Sequence, residues 1–133
     1  SEFHARHKLL LMSHSERHMR RLGPLAAGDR TRRLPDVVAE YEEVFFEALA
    51  LLPTVRKHVN ALQHLFGFFK RHLDAGDRGE LQEVLEDYRH GLAPRVAPVT
   101  LIRHHLKKVD APYVANQFYL TPHPKELMLQ HCR

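Results

Sequence analysis

Apolar residues recur every three or four positions through most of this 133-residue chain, and this spacing limits its fold more than any other feature. A period near 3.6 is typical of α-helices that turn one face to a core, and no segment alternates as a half-exposed strand does. Proline and glycine interrupt the pattern and mark helix ends. The sequence therefore predicts an all-α fold, a single-domain bundle of five or six helices over residues 1–133.

Caps and helix breakers set the predicted boundaries. Ser15 can cap a short second helix that Gly23-Pro24 closes, and Asp77 with Glu80 has the spacing of a capping box. The predicted helices span residues 3–14, 15–21, 35–52, 54–73, 77–90 and 98–108, with short helical pieces at 113–118 and 125–131.

The helix at 35–52 is predicted to be strongly amphipathic. Its inward stripe should consist of Val38, Tyr41, Phe45, Leu49 and Leu52. Four carboxylates fall on the opposite side of the helical wheel, where we expect them to face solvent: Asp36, Glu40, Glu43 and Glu47.

Charge is sorted along the chain, whose net charge is +4. Residues 1–33, 53–73 and 94–133 are basic, whereas 34–52 and 74–93 are acidic. A folded chain could therefore carry one basic and one acidic surface, or the acidic and basic helices could simply neutralise one another. The composition leaves both interpretations open.

Several functional classes are disfavoured by what the sequence lacks. No stretch approaches the ~20 apolar residues of a membrane span. Cys132 is the single cysteine, which excludes an internal disulfide, suits the cytoplasm and cannot ligate an iron–sulfur cluster alone. We also find no glycine-rich phosphate loop and no common hydrolase or metalloprotease motif.

Twelve histidines raise the possibility of a metal site, or of an enzyme built on them. His7 and His14 share a helix face but are separated by two turns, about 10 Å, too far for one ion. His104 and His105 are adjacent and point ~100° apart, so they cannot readily chelate together. We therefore expect no metal. His58 falls within the apolar arc of its helix and is predicted to be a hydrogen-bonded core residue.

One face of the helix at 54–73 combines an aromatic ring with cations and polar groups. Such a face can stack a base while holding phosphate. The alternative is that this helix is central and packed all round, with Phe68 in the core and Gly67 allowing a close approach. The residues on this face are Lys57, Asn60, His64, Phe68 and Arg71.

A second set of basic residues could extend this face into a nucleic-acid-binding surface. Three lie on the helix at 98–108 and five on the first two helices. They are Arg103, His104 and Lys107, with Arg6, Lys8, Arg17, Arg20 and Arg21.

Four blocks of sequence resemble those of a known family, the YbgA-like domain (domain of unknown function 1722). They occur in the family's order along the whole chain, and the pattern NxLQHxxGxFK within the second is distinctive. The blocks are FHARHKLLLMSHS (3–15), HVNALQHLFGFFK (58–70), YRHGLAPRVAPVTLIRHH (88–105) and PYVANQFYLTPHPKEL (112–127).

The resemblance implies a role in RNA metabolism. Members occur alone or fused behind a TudS-type desulfidase, an iron–sulfur domain that removes sulfur from thiouracil-containing substrates. It implies that this domain binds tRNA in support of 4-thiouridine removal, with TudS in cis or in trans. A 4Fe-4S cluster is expected only in that desulfidase, and no catalytic residue is carried over. We expect no enzyme activity from this chain alone. The alternative is a protein-docking module that does not bind nucleic acid.

Overall fold

The computed structural model describes residues 1–120 and confirms the all-α fold, because this part of the chain contains no strand. No helix in this part is long and apolar enough to cross a membrane. The predicted helix at 125–131 lies outside the described residues. The helices are α1 (Glu2–Ala27), α2 (Leu34–Ala50), α3 (Val55–Phe69), α4 (Ala75–Arg89), α5 (Val96–Leu106) and α6 (Pro112–Ala115), with short 3₁₀ helices at Lys70–His72 and Phe118–Leu120.

Helix α1 is bent sharply at Ser15, where the sequence predicts a new helix to start. Ser15 has an extended backbone (φ −163°, ψ 105°), and its Oγ accepts a hydrogen bond from the backbone N–H of His18 at 3.2 Å. A β-carbon at Gly23 would lie 4.0 Å from Nε2 of His4, whereas a straight helix would separate these residues by ~28 Å. The two arms of α1, residues 2–14 and 16–27, therefore fold back toward each other.

The predicted end of the second arm is wrong, because Gly23 and Pro24 lie inside the helix. The arm continues for one more turn and ends at Gly28, whose positive φ of 91° is the left-handed conformation that glycine adopts without strain. A proline disturbs a helix without always ending it.

Helix α3 lies at the centre of the bundle and packs against α1, α4, α5 and α6. One side of it forms the core, and large apolar residues of the other helices meet that side. The buried residues of α3 are His58, Ala61, Leu62, Leu65, Phe66 and Phe69.

The predicted inward stripe of α2 is correct in part, because Tyr41 and Phe45 are half-buried and pack against the core. The buried residues are Val37, Val44 and Ala48, whereas Val38 is exposed and Leu52 is 81% exposed beyond the helix end. Apolar residues occupy two neighbouring stripes of this helix, and packing against α1 determines which one is buried.

Other predicted boundaries shift by a few residues. Helix α4 begins at Ala75, because Asp74 rather than Asp77 is its N-cap and accepts a hydrogen bond from the N–H of Asp77 at 2.7 Å. Gly91, with φ 80°, follows the end of α4 as predicted. Helices α3 and α5 end four and two residues earlier than the predicted 73 and 108.

Candidate nucleic-acid interface

A groove of about 360 Å³ opens between the two arms of α1, the outward side of α3 and the short helix α6. Its volume is near the lower end of the ~300–1,000 Å³ range of small-molecule sites. Leu9, Met12 and Met19 supply apolar surface. Around them lie the groove's polar and aromatic residues: His4, Lys8, Glu16, Arg20, His64, Phe68 and Tyr113.

Two aromatic rings form one wall of this groove. Phe68 is 46% exposed, and its ring meets Tyr113 edge-on, with centroids 5.1 Å apart and planes at 64°. No atom outside its own helix lies within 4 Å of a β-carbon built on Gly67. The alternative that places Phe68 in the core and Gly67 at a close helix contact is therefore wrong, and Phe68 can offer surface to a ligand.

Glu16 organises the polar side of the groove. Its carboxylate accepts a hydrogen bond from Arg20 at 2.9 Å and another from the amide of Asn60 at 3.1 Å. Asn60 is thereby joined to the groove although it does not line it. The ion pair with Glu16 partly neutralises Arg20. Lys8 is therefore the groove cation that has no ion-pair partner among residues 1–120.

His4 contributes a neutral imidazole to the rim. Its Nδ1 lies 3.1 Å from the hydroxyl of Tyr41. Burial, followed by the charge of Lys8, holds the pKa of His4 below its ordinary value of 6.5, so the ring is mostly uncharged at pH 7. It can donate or accept one hydrogen bond depending on its tautomer.

Gln117 fixes the wall that carries Tyr113 against α1. Its amide donates to the carbonyl of Ala5 at 2.7 Å and accepts from the N–H of Leu9 at 3.3 Å, the two groups that bond each other in a regular helix. It also donates to the carbonyl of Tyr113 at 3.3 Å. Gln117 was not predicted as a site residue. The one feature of the sequence that pointed to it is its place in the family-like block at 112–127.

The thirteen predicted RNA-binding residues fall into three groups. Four of them line the groove: Lys8, Arg20, His64 and Phe68. Two adjoin it, since Asn60 is bonded to Glu16 and Arg17 lies beside Glu16 and Arg20 in a shallow depression. The remaining seven do not line it: Arg6, Arg21, Lys57, Arg71, Arg103, His104 and Lys107.

The acidic residues of α2 neutralise some of the basic residues near them, as one of the two interpretations of the charge pattern expects. Glu47 of α2 lies 3.5 Å from His18 and 3.9 Å from Arg21, both on α1. Glu40 pairs with Arg32 of the connecting loop. The acidic helix thus offsets the basic residues on its own side of α1, while the groove lies on the side facing α3.

His58 is the buried, hydrogen-bonded histidine that the sequence predicts. It is 5% exposed, and its Nδ1 lies 2.6 Å from the hydroxyl of Tyr119. Burial, then the charges of Arg95 and His14, lower its pKa to about 3. His58 is therefore neutral at every physiological pH.

His7 and His14, which the sequence presents as possible metal ligands, both contact other parts of the domain. His7 stacks on Phe3 with centroids 4.0 Å apart, and Nδ1 of His14 donates to the carbonyl of Leu51 at 2.8 Å. Within residues 1–120 no three His, Cys, Asp or Glu side chains are arranged to hold a metal ion. Cys132 lies outside the described residues.

The fold and groove define an all-helical domain with an aromatic, cation-rimmed surface site. The chain matches the family described as "Protein of unknown function (DUF1722)" over residues 8–124, and it belongs to that family. It is also 30% identical over 131 residues to the Uncharacterized protein YbgA of Escherichia coli (strain K12), an alignment that covers 98% of this chain and 78% of that protein. The predicted resemblance to the YbgA-like domain is thus confirmed. No solved structure matches the chain.

Proposed function

We propose that this domain binds tRNA through the groove between α1, α3 and α6. The observation that carries the proposal is the exposed Phe68, which forms a wall with Tyr113 next to Lys8, Arg20 and His64. Aromatic side chains stack on unpaired bases of any sequence, and neighbouring cations hold the phosphates. An apolar floor with polar groups around it suits one unstacked nucleotide.

The proposed role is that of an accessory domain in the removal of sulfur from 4-thiouridine in tRNA. This step rests on the family resemblance, in which a TudS-type iron–sulfur desulfidase, fused or separate, performs the chemistry. This domain would hold the tRNA and take no catalytic part. We place the protein in the cytoplasm, where tRNA is modified, and expect no sulfide release from the purified chain.

Filter binding of tRNA at two salt concentrations tests the proposal. Phe68→Ala should weaken binding by ~1–3 kcal/mol, the usual contribution of one stacked base, and should leave the salt dependence nearly unchanged. Phe46→Ala is the matched control, because Phe46 is 65% exposed on the acidic helix α2. It should bind tRNA as the wild type does.

Two results would count against tRNA binding at this groove. One is a wild-type protein with no measurable affinity for tRNA at low salt. The other is a folded Phe68→Ala protein that binds as tightly as the Phe46→Ala control.

A second candidate function, protein docking, is favoured by an apolar groove on another part of the surface. It measures about 340 Å³ and lies between the two ends of α1 and the start of α2, where Phe3, Leu34 and Val38 are exposed. Together with Leu34, which is 73% exposed, these residues form an apolar patch of the kind that marks protein-interaction sites. If docking is the function, Val38→Asp should abolish binding of the partner domain and leave tRNA binding unaffected.

A further inference from the structure

A cluster of nitrogen-bearing side chains lies away from the groove, where α5 begins. Arg95, the residue before α5, is half-buried, and its Nη1 contacts Nε2 of the buried His58. His58 in turn bonds the hydroxyl of Tyr119, which belongs to the final 3₁₀ helix. Three elements distant in sequence thus meet in one cluster, in which His58 contacts both Arg95 and Tyr119.

The hydrogen-bonding roles in this cluster follow from the chemistry of its members. Arginine can only donate, so Nε2 of His58 must accept, and the ring proton must be on Nδ1. Nδ1–H then donates to the hydroxyl oxygen of Tyr119. Because burial keeps His58 neutral, this tautomer persists across the physiological pH range. His58 and Tyr119 therefore hold Arg95 in place without neutralising its charge.

Among residues 1–120, Arg95 lacks the carboxylate partner that a half-buried cation usually has. Within residues 1–120 no carboxylate lies within ion-pairing distance of it, and its contact with His58 uses only part of a five-donor guanidinium. Buried charges are normally paired, so a half-buried guanidinium without a carboxylate among residues 1–120 keeps donors available for a ligand.

The start of α3, to which His58 belongs, has basic rather than acidic neighbours. The charge of His14 contributes to the lowered pKa of His58, so His14 is an electrostatic neighbour. Lys57, next to His58 in the chain, donates from Nζ to the carbonyl of Leu52 at 3.2 Å, beside the Leu51 carbonyl that accepts from His14. Neither His14 nor Lys57 has a carboxylate partner among residues 1–120.

We propose that Arg95, positioned by His58 and Tyr119, binds a phosphate oxyanion. A planar guanidinium can donate two parallel hydrogen bonds to two phosphate oxygens, which a lysine ammonium cannot do. The ligand is a free phosphate, a phosphomonoester or a phosphodiester of a nucleic acid backbone. This site is separate from the Phe68 groove, and its existence does not depend on tRNA binding there.

The test is a nuclear magnetic resonance titration of the full ¹⁵N-labelled chain, observed at the arginine Nε–H signals. Inorganic phosphate is added at constant ionic strength against chloride, and the signal of Arg95 is identified by its loss in Arg95→Lys. We expect a saturable shift of this signal and no comparable shift for Arg103, an exposed arginine on α5. Parallel titrations with uridine monophosphate and the dinucleotide UpU distinguish a terminal phosphate from a backbone phosphodiester.

Variants of His58 distinguish positioning from general stability. His58→Gln keeps an acceptor for Arg95 and a donor for Tyr119, and it should retain affinity for phosphate within about twofold. His58→Leu removes both and should weaken affinity by about two- to tenfold, as should Tyr119→Phe to a similar or smaller extent. Thermal melts show which variants are folded.

The proposal fails if the Arg95 signal moves no more than that of Arg103 with any of the three phosphates. It also fails if folded His58→Leu and Tyr119→Phe proteins both bind phosphate as the wild type does. If His58→Leu does not fold, Tyr119→Phe and His58→Gln still decide the matter. Because inorganic phosphate is the first probe, a protein that binds no tRNA can still confirm this site.

Discussion

The two sides of α3 carry the same residue types in opposite environments. His58 and Phe69 are buried on the inner side, whereas His64 and Phe68 are exposed on the outer side and line the groove. A histidine on the inner side is neutral and bonded to Tyr119, while one on the outer side is accessible to a ligand. Position on the helix, rather than residue type, therefore determines whether these side chains stabilise the fold or can serve a site.

The phenylalanines give the largest expected difference between the two sides. Phe69→Ala should lower the free energy of unfolding by ~3–5 kcal/mol, because it leaves a cavity in a fully buried position. Phe68→Ala should lower it by only about 1 kcal/mol, since half of that ring is already in water. Urea unfolding of both variants measures the two values. Equal losses would mean that Phe68 is a core residue and would remove it from the proposed site.

The buried His58 should make the stability of the domain depend on pH. The pKa of His58 is about 3 in the folded protein and 6.5 when unfolded, so between these values the unfolded chain binds a proton that the folded one excludes. Stability should therefore rise with pH through this window, by up to ~1.4 kcal/mol per pH unit, and should be lost as pH falls from 6.5 toward 3.

His58→Gln isolates this contribution from those of the carboxylates and of other histidines. Urea unfolding between pH 5 and 6.5 should show a shallower dependence for His58→Gln than for the wild type. A wild-type slope in His58→Gln would show that the buried ring is not the group that titrates.

The groove on the outer side should depend on Gln117, which ties α6 to α1. Gln117→Leu removes three hydrogen bonds, one of them buried and two partly buried, and we expect a loss of ~1–3 kcal/mol of stability. Asn116→Leu is the control, since Asn116 is exposed. If Gln117→Leu and Asn116→Leu unfold at the same temperature in thermal melts, the Gln117 amide does not hold the wall that carries Tyr113 in place.

How far the sequence could predict these features depends on how local their causes are. The Ser15 cap was predictable because the capping hydrogen bond joins residues three apart. The core position of His58 was predictable because the helical period alone places it on the apolar face. The fully buried residues of α2 were not predictable, since neighbouring Val37 and Val38 both suit a core and contact with α1 selects between them.

Distant contacts account for most of what the sequence could not predict about the two candidate sites. Gln117 bonds residues 108 and 112 positions away, and Arg95 meets His58 across 37 positions. The periodicity of a sequence does not indicate contacts between residues so far apart in the chain. The exposure of Phe68 was an open alternative for the same reason, because only the placement of α6 determines how much of the ring is covered.

The smallest expected effect concerns the two groove cations. Lys8 has no carboxylate partner among residues 1–120, whereas Arg20 is already paired with Glu16 at 2.9 Å. If both lie near RNA phosphates, Lys8→Ala should lower the salt slope of tRNA binding by about one unit, the value for one released counterion. Arg20→Ala should lower it by less than one, because much of its charge is offset before RNA binds. Filter binding from 50 to 200 mM salt measures both slopes. Equal slopes in the two variants would show that RNA displaces Glu16 from Arg20, and unchanged slopes in both would place the phosphates elsewhere on the domain.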